Sequence, residues 1–474
     1  MRLHRFVARS RIEAPAAEVF RWHERRSALE RLTPPWARAD VLARQGGVAD
    51  GGRVLLGLHQ GPFSLRWEAR HKDVIEGRQF LDEQVRGPFH RWVHAHRFAP
   101  TAVGCAVEDD VRYEVPLGAL GRAVGGDWVR AQLERMFAYR HAQLAADLER
   151  HEDPIARATG PLRIAVSGAS GLIGRALCAF LSTGGHQVVR LVRGRVSLAD
   201  EIAWDPEHGL VAPHALSGVD AVVHLAGENV GTRWTEAKKR AIRDSRVAGT
   251  RTIAEALARL PVPPRVFIAA SAIGWYGDRG DEVVDEASAP GEGFLAEVCR
   301  EWEEASLPAV RAGVRVVNAR IGVVLTPAGG ALAQMLPAFR VGVGGPIGDG
   351  AQAVSWISLD DVVYALHRAL VDERLRGPVN LTAPGSVTQA GLAHAIGRAL
   401  GRPASLRVPR FAVDALFGQM GREVLLAGAH VLPTRLLLAG FRFRHETLDG
   451  ALAALLGRAA PPDLPALELS FSAS

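Results

Sequence analysis

Along the first 150 residues, short runs alternate apolar with polar positions and are separated by glycine-rich turns. RVLLGL, SLRWEARHKDVI, RWVHAHRFAP and CAVEDDVRYEV each carry the period-two pattern of a half-buried antiparallel strand. Before them, an extended start, HRFVARSRIEA, leads into a helical stretch, PAAEVFRWHERRSALERL, opened by Pro15. A long helix over GDWVRAQLERMFAYRHAQLAADLERH closes the segment, with Trp128, Leu133, Phe137, Leu144 and Leu148 on or near one face. The pattern is α+β, a curved sheet gripping a terminal helix. Pro154 and Gly160-Pro161 interrupt both neighbouring patterns, so EDPIARATGP is the predicted linker.

From Arg163 the rhythm changes. The apolar runs RIAVSGA, QVVRLVR, AVVHLAG and RVFIAASA are separated by helical patterns such as IGRALCAFLSTG and AKKRAIRDSRVAGTRTIAEALARL. Strand and helix alternating in this way predict a parallel, doubly wound sheet. Beyond about residue 385 the chain reads as mainly helical, a small cap on the α/β body.

Composition narrows the class. Of 474 residues, 48% are hydrophobic and 23% charged, which fits a folded globular protein of more than one domain. The net charge of +6 comes from arginine, since lysine occurs only at Lys72, Lys238 and Lys239. The arginines are dispersed, and the densest run, KKRAIRDSR, has helical spacing, so a solvated helix face is expected and nucleic-acid binding is not. Cys105, Cys178 and Cys299 lie far apart in apolar segments, which gives no disulfide or zinc framework and no metal site is expected. With no apolar leader or long apolar run, the expectation is a cytoplasmic protein without a membrane segment.

The stretch AVSGASGLIGRAL places Gly168, Gly171 and Gly174 directly after a strand and at the start of a helix. Glycines there permit a tight turn, close approach of backbone to a pyrophosphate, and close helix-on-strand packing. The helix N-terminus offers free N–H groups and a positive dipole end. The cradle is therefore assigned to Gly168, Ser170, Gly171, Leu172, Ile173 and Gly174. A NAD site places a carboxylate at the end of the next strand, whereas this one reads VVRLVRGR. Without that acid a 2′-phosphate is not repelled, and Arg193 at the strand's carboxyl end is positioned to pair with it. The cofactor expected is NADP (NADPH); the alternative is that Arg190 or Arg193 merely ends a strand in solvent.

SGASGLIG, HLAGENV, SRVAGT, SAIGWYG, SWISLDDVVYA and GPVNLTAPGSVT occur in order, and together they resemble the extended short-chain dehydrogenase/reductase superfamily of NAD(P)-dependent epimerases and dehydratases. More narrowly, LAGENVGTRWTEAKKRAIRDSRVAGT, GEGFLAEVCREWE and HVLPTRLLLAGFRF resemble an atypical epimerase subgroup that carries a small C-terminal domain of the DUF1731 kind. The element order of residues 1–150 is similar to the SRPBCC, or START-like, helix-grip superfamily, whose members hold apolar ligands between sheet and helix. The resemblance implies an α/β Rossmann domain at 162–385 with a small helical C-terminal cap at 386–458, preceded by an α+β helix-grip domain at 1–152. It implies that Leu225, Ala226 and Gly227 end the fourth strand and line the adenosine side of the cofactor. It brings Arg246 to a phosphate or ribose, and makes Ser271 the serine that polarises substrate.

The same resemblance exposes a gap. Short-chain dehydrogenases use Tyr-x-x-x-Lys on one helix face, where the ammonium depresses the phenol pKa for proton exchange. The corresponding helix here reads GFLAEVCREWEEA, with Phe294 and Val298 at the two positions. None of Tyr113, Tyr139, Tyr276 and Tyr364 has lysine four residues on. The candidate substitute is Tyr276 beside Ser271, against the alternative of a packing aromatic; Asp278, Glu228 and His224 are further ionisable neighbours, with His224 expected to be a buried strand histidine. Two readings remain open: an NADP-dependent oxidoreductase or epimerase acting on an unassigned small molecule, or a noncatalytic NADP(H)-dependent binding protein with an apolar-ligand cavity in its N-terminal domain. Nothing in the sequence specifies an oligomeric state.

Overall fold

Alternating side chains in the first segment build an antiparallel sheet from β1 (His4–Ile12), β2 (Arg38–Gln45), β3 (Arg53–Gln60), β4 (Phe63–Ile75), β5 (Gln79–Arg86), β6 (Arg91–Thr101) and β7 (Gly104–Glu114). Helices α1 (Ala16–Glu24) and α2 (Ala28–Leu32) follow β1, and α3 (Gly118–His151) follows β7. The structure, a computed structural model, describes residues 3–60, 63–115, 118–459 and 465–473. It divides into two compact units, one of residues 1–157, 182–185 and 457–474, the other of residues 158–181 and 186–456.

On α3, Leu133, Phe137, Leu144 and Leu148 are buried as the periodicity predicts, but Trp128 is 53% exposed and Val129 takes the inward position. One apolar cluster gathers Phe20, Trp22, Phe80, Phe98, Leu144 and Leu148, and another Phe6, Trp92, Val111, Tyr113 and Phe137. His96 stacks on Phe80 of the first, and His94 meets Phe137 of the second edge-on. The interior expected to be apolar is thus interrupted by buried His94, His96, Asp109 and His141.

The predicted linker is not extended: its residues form α4 (Pro154–Thr159). The second unit then runs β8 (Arg163–Ser167), α5 (Leu172–Thr183), β9 (Gln187–Arg193), β10 (Glu201–Asp205), β11 (Leu210–Val211), β12 (Ala221–His224), α6 (Glu236–Ala258) and β13 (Val266–Ala272). After β14 (Val283–Val284) come α7 (Phe294–Glu304), α8 (Leu307–Arg311), β15 (Arg315–Ile321), β16 (Val323–Leu325) and α9 (Gly330–Arg340). The chain continues through β17 (Ala353–Val354), β18 (Trp356–Ser358), α10 (Leu359–Val371) and β19 (Gly377–Leu381). The main sheet has the order β11-β10-β9-β8-β12-β13-β15-β19 and is parallel from β10 to β19. Strands covered on both faces read as continuous apolar runs, as Ile164, Ala165 and Val166 do at 0% exposure. Strand order reverses between β8 and β12, so the turn after β8 stands at the topological switch point, where such sheets bind ligands.

The C-terminal part contains β20 (Val387–Thr388), α11 (Gln389–Leu400), α12 (Arg410–Phe417), β21 (His430–Val431), α13 (Thr434–Leu438) and α14 (Leu448–Leu455). Leu392, Ile396, Leu452 and Leu455 share one core with Leu332, Leu336 and Trp356. A last strand, β22 (Glu468–Ala473), pairs antiparallel with β1 and completes an eight-stranded sheet, β2-β3-β4-β5-β6-β7-β1-β22. Among the described residues, no helix is long and apolar enough to cross a membrane.

Candidate functional site

The glycine turn uses its three glycines differently. Gly168 has φ +68°, and a Cβ on it would lie 2.7 Å from the Leu225 carbonyl carbon. A Cβ on Gly174 would lie 2.1 Å from the Gly168 oxygen. Both are required by the fold itself, which presses α5 and the loop after β12 onto the turn. Gly171 is exposed, and a Cβ there would meet the Gly168 oxygen at 3.2 Å, a tight contact but a milder one than at the other two glycines. Ser170 is exposed, Leu172 and Ile173 are half-buried, and the first turn of α5 presents N–H groups that have no partner within the helix.

Leu225, Ala226 and Gly227 lie in the loop just past β12, which ends at His224, rather than in the strand. They still border the turn, since Leu225 donates its N–H to the Ser167 carbonyl at 3.2 Å. Arg246 projects from α6 with its guanidinium 3.3 Å from where a Gly227 Cβ would stand. It sits over the Trp302 ring and donates to the Ile242 carbonyl, and it forms no ion pair among the described residues. Burial lowers its pKa, the mark of a cation short of a compensating anion.

The two arginines of β9 separate cleanly. Arg190 is held by Asp200 and Glu201 at 3.3 Å, whereas Arg193 is exposed and unpaired among the described residues. Arg193 opens onto a shallow depression of about 790 Å³ lined also by Gly194, Ala203, Trp204, Asp205 and Glu207. Asp205 and Glu207 were not singled out in the sequence; Asp205 is engaged by His208 at 2.7 Å.

Ser271 and Tyr276 are brought into one network, but inward. Ser271 is 2% exposed and donates to Glu303 Oε1 at 2.7 Å. Tyr276 is 0% exposed, donates to Asn380 Oδ1 at 2.7 Å and accepts from Arg320 Nη1 at 3.0 Å. Arg320 also holds both Glu303 oxygens, at 2.8 and 2.9 Å. Burial raises the Tyr276 pKa despite the neighbouring guanidinium, so the phenol keeps its proton. Arg320, Glu303 and Asn380 escaped the sequence reading because nothing in their spacing joins β15, α7 and β19.

Phe294 and Val298 are buried in an apolar cluster with Trp234, Ile242 and Met420. Lys239 Nζ and the Arg243 guanidinium stand 5.3 and 5.8 Å from the centre of the Phe294 ring. His224 is fully buried, its Nδ1 2.5 Å from the Ser167 hydroxyl, and burial pushes its pKa down to about 3. Glu228 is paired with Lys238. Asp278 is exposed and accepts from the Gly428 N–H at 3.2 Å.

The chain is similar to known proteins along most of its length. Residues 164–381 match the NAD dependent epimerase/dehydratase family, residues 408–455 a domain of unknown function, DUF1731, and residues 12–137 the polyketide cyclase / dehydrase and lipid transport family. An epimerase family protein of Mycobacterium bovis is 48% identical over 290 residues, 61% of this chain and 96% of that protein. The crystal structure of a nucleoside-diphosphate sugar epimerase from Corynebacterium glutamicum is similar at 35% identity and TM-score 0.79, over 96% of this chain and 91% of that one. The human epimerase family protein SDR39U1, solved with NADPH, is similar at 34% identity and TM-score 0.58, over 63% of this chain and all (100%) of that one.

Proposed function

The chain belongs to the NAD dependent epimerase/dehydratase family, and from that premise we propose that it binds NADP(H) at the turn after β8 and serves as an oxidoreductase or epimerase on a small molecule. The observation that carries this reading is that two guanidiniums have no carboxylate partner among the described residues: Arg246, beside the Gly227 loop, and Arg193, two residues past the Leu191 that pairs with Ser167 of β8. Gly168, Ser170 and Gly171, with the N–H groups of Leu172, Ile173 and Gly174, hold the pyrophosphate. Arg246 balances its charge, and Leu225, Ala226 and Gly227 border the adenosine. Arg193 takes the 2′-phosphate, for which the missing acid at the end of β9 leaves room. The human relative solved with NADPH supports the choice. The nicotinamide, when bound, supplies hydride transfer.

In the catalytic form of this reading, Ser271 and Tyr276 provide the hydroxyls. Tyr276 must then leave Asn380, and its raised pKa makes the step slow at neutral pH and faster with alkalinity. The second reading, a noncatalytic NADP(H)-dependent binding protein, is favoured by one specific observation: both hydroxyls are occupied and the Tyr-x-x-x-Lys positions hold buried Phe294 and Val298.

Calorimetry tests the shared part. NADPH binds more tightly than NADH, and Arg193→Ala weakens NADPH by about 10- to 100-fold, the worth of charge-assisted hydrogen bonds, while leaving NADH unchanged. Equal wild-type affinities overturn the assignment of Arg193. Consumption of NADPH, or interconversion of epimers, across a panel of carbonyl compounds and nucleoside-diphosphate sugars then separates the readings; turnover favours the enzyme, and binding without any turnover the second reading.

A further inference from the structure

Inside the first unit, the register of the sheet places metal-ligating side chains in two adjoining rows. His71 on β4 pairs with Asp82 on β5, and Asp82 with His94 on β6. In the next row His96 on β6 pairs with Asp109 on β7. His94 and His96 are two residues apart and so share a face, with ring centres 3.8 Å apart. They are 3% and 7% exposed, and the Asp82 side chain, at 24%, keeps a route to solvent.

We infer that His94, His96 and Asp82 form a binding site for a divalent transition-metal ion of the zinc class. One ligand atom from each lies within 4.8 Å of the others. His96 Nε2 and Asp82 Oδ2 stand 3.2 Å apart, close to the edge of about 3.3 Å that a tetrahedron with metal–ligand bonds near 2.0–2.1 Å requires. Asp109 Oδ1 holds the other nitrogen of His96, Nδ1, at 2.8 Å, as a carboxylate behind a metal-bound histidine fixes its ring.

Hydrogen bonding alone leaves this cluster unresolved. His71 Nδ1 comes within 2.5 Å of Asp82 Oδ1, and His141 Nε2 within 2.8 Å of Asp109 Oδ2. Yet His71 Nδ1, Asp82 Oδ1 and His141 Nε2 are all buried and make no well-aligned hydrogen bond. Asp109 Oδ1 is shared by His94 Nε2, also at 2.8 Å. A dication held by His94, His96 and Asp82 balances the carboxylate charge there and gives the two facing imidazoles one shared acceptor of lone pairs, leaving His71 and His141 to their carboxylate neighbours. Two imidazoles and one carboxylate suit zinc or its neighbours rather than calcium or magnesium. Three protein ligands leave a fourth position open, as in catalytic zinc sites.

The full chain, stripped with a chelator and titrated with Zn²⁺ against a chromophoric indicator, is expected to take up one tightly bound equivalent. His96→Asn and Asp82→Asn each weaken that uptake about 100-fold or more, whereas His208→Ala, an exposed control in the other unit, leaves it unchanged. Uptake that is absent in wild type, or equal in wild type and both variants, overturns the site. Should the variants fail to fold, Co²⁺ bound to the wild-type chain decides. Visible bands of a nitrogen- and oxygen-ligated tetrahedral ion, displaced by Zn²⁺, support the site; a thiolate charge-transfer band, or no tetrahedral spectrum, overturns it.

Discussion

The guanidinium of Arg320 donates to both oxygens of Glu303 and to the Tyr276 hydroxyl, and its carbon lies 3.8 Å from the centre of the Trp275 ring. With Arg320 only 2% exposed, removing its partner strands a charge in the interior. Glu303→Gln is expected to destabilise the protein by about 3–5 kcal/mol. Tyr276→Phe takes one donor from Asn380 and is expected to cost about 1–3 kcal/mol. Urea denaturation reads both, and NADPH affinity measured on the folded variants stays near wild type because neither residue touches the glycine turn. A Tyr276→Phe protein of unchanged stability that loses turnover would instead return Tyr276 to the chemistry. At this scale the glycine turn was legible because spaced glycines after a strand are a local signal, and the structure sets Gly168 and Gly174 tightly into that turn; the cofactor roles given to its neighbours are proposals. Arg320, Glu303 and Asn380 were not legible, since buried networks join residues by sheet order. His94 and His96 occupied the inward phase of Trp92-x-His94-x-His96-x-Phe98, but the alternation was read only for strand and not for what it carried inside.

The elements around the site make separable demands on small residues and caps. Gly174→Ala places a Cβ 2.1 Å from the Gly168 oxygen, and Gly168→Ala adds strain at φ +68°, so both lower stability by about 1–3 kcal/mol. Gly171→Ala, whose methyl meets the Gly168 oxygen at 3.2 Å from an exposed position, is expected to cost less than the other two, about 1 kcal/mol or under, while weakening NADPH if the proposed cradle is right. Paired denaturation and calorimetry distinguish the two effects; a Gly171→Ala protein with full affinity removes that glycine from the site. At the start of α10, Ser358 caps the helix, and Asp361 accepts from the Ser358 hydroxyl and from the N–H groups of Arg444 and His445. Burial raises the Asp361 pKa from 3.8 to about 6. The folded state therefore holds this proton more tightly than the unfolded one, and the contribution of Asp361 to stability declines as pH rises between those two values. Asp361→Asn does not titrate, so its deficit against wild type should shrink by about 2–3 kcal/mol from pH ~4 to pH ~7. A deficit independent of pH refutes the shift. Most strands and helices were readable from period alone, and the errors have physical sources. Trp128 fell one position off the stripe that Val129, Leu133 and Phe137 define, and two prolines near α4 marked a break without forbidding a helical turn between them.

Across the whole molecule, the chain leaves its first unit near Arg157 and returns to it at Gly457. The returning strand was missed because a terminal tail after a helical cap invites no strand assignment, although Leu467, Leu469 and Phe471 alternate with polar neighbours. In the fold, β22 pairs with β1 from His4↔Ala473 to Arg9↔Glu468, which places β1 between β7 and β22 and makes β22 the outer strand. The expected consequence of a protease nick between residues 152 and 162 is therefore not two independent domains, because the C-terminal fragment carries a strand of the N-terminal sheet. Deleting residues 465–474 turns β1 into an edge, with a row of open N–H and C=O groups that invites pairing with another chain. Hydrogen exchange tests this directly. In the full chain, β1 amides are protected toward both neighbours; in the truncated chain, every second amide, those that faced β22, should exchange like an exposed edge while the amides bonded to β7 stay slow. Concentration-dependent association of the truncated protein is expected to accompany that loss. If β1 exchanges identically in the two proteins, β22 is not holding the edge.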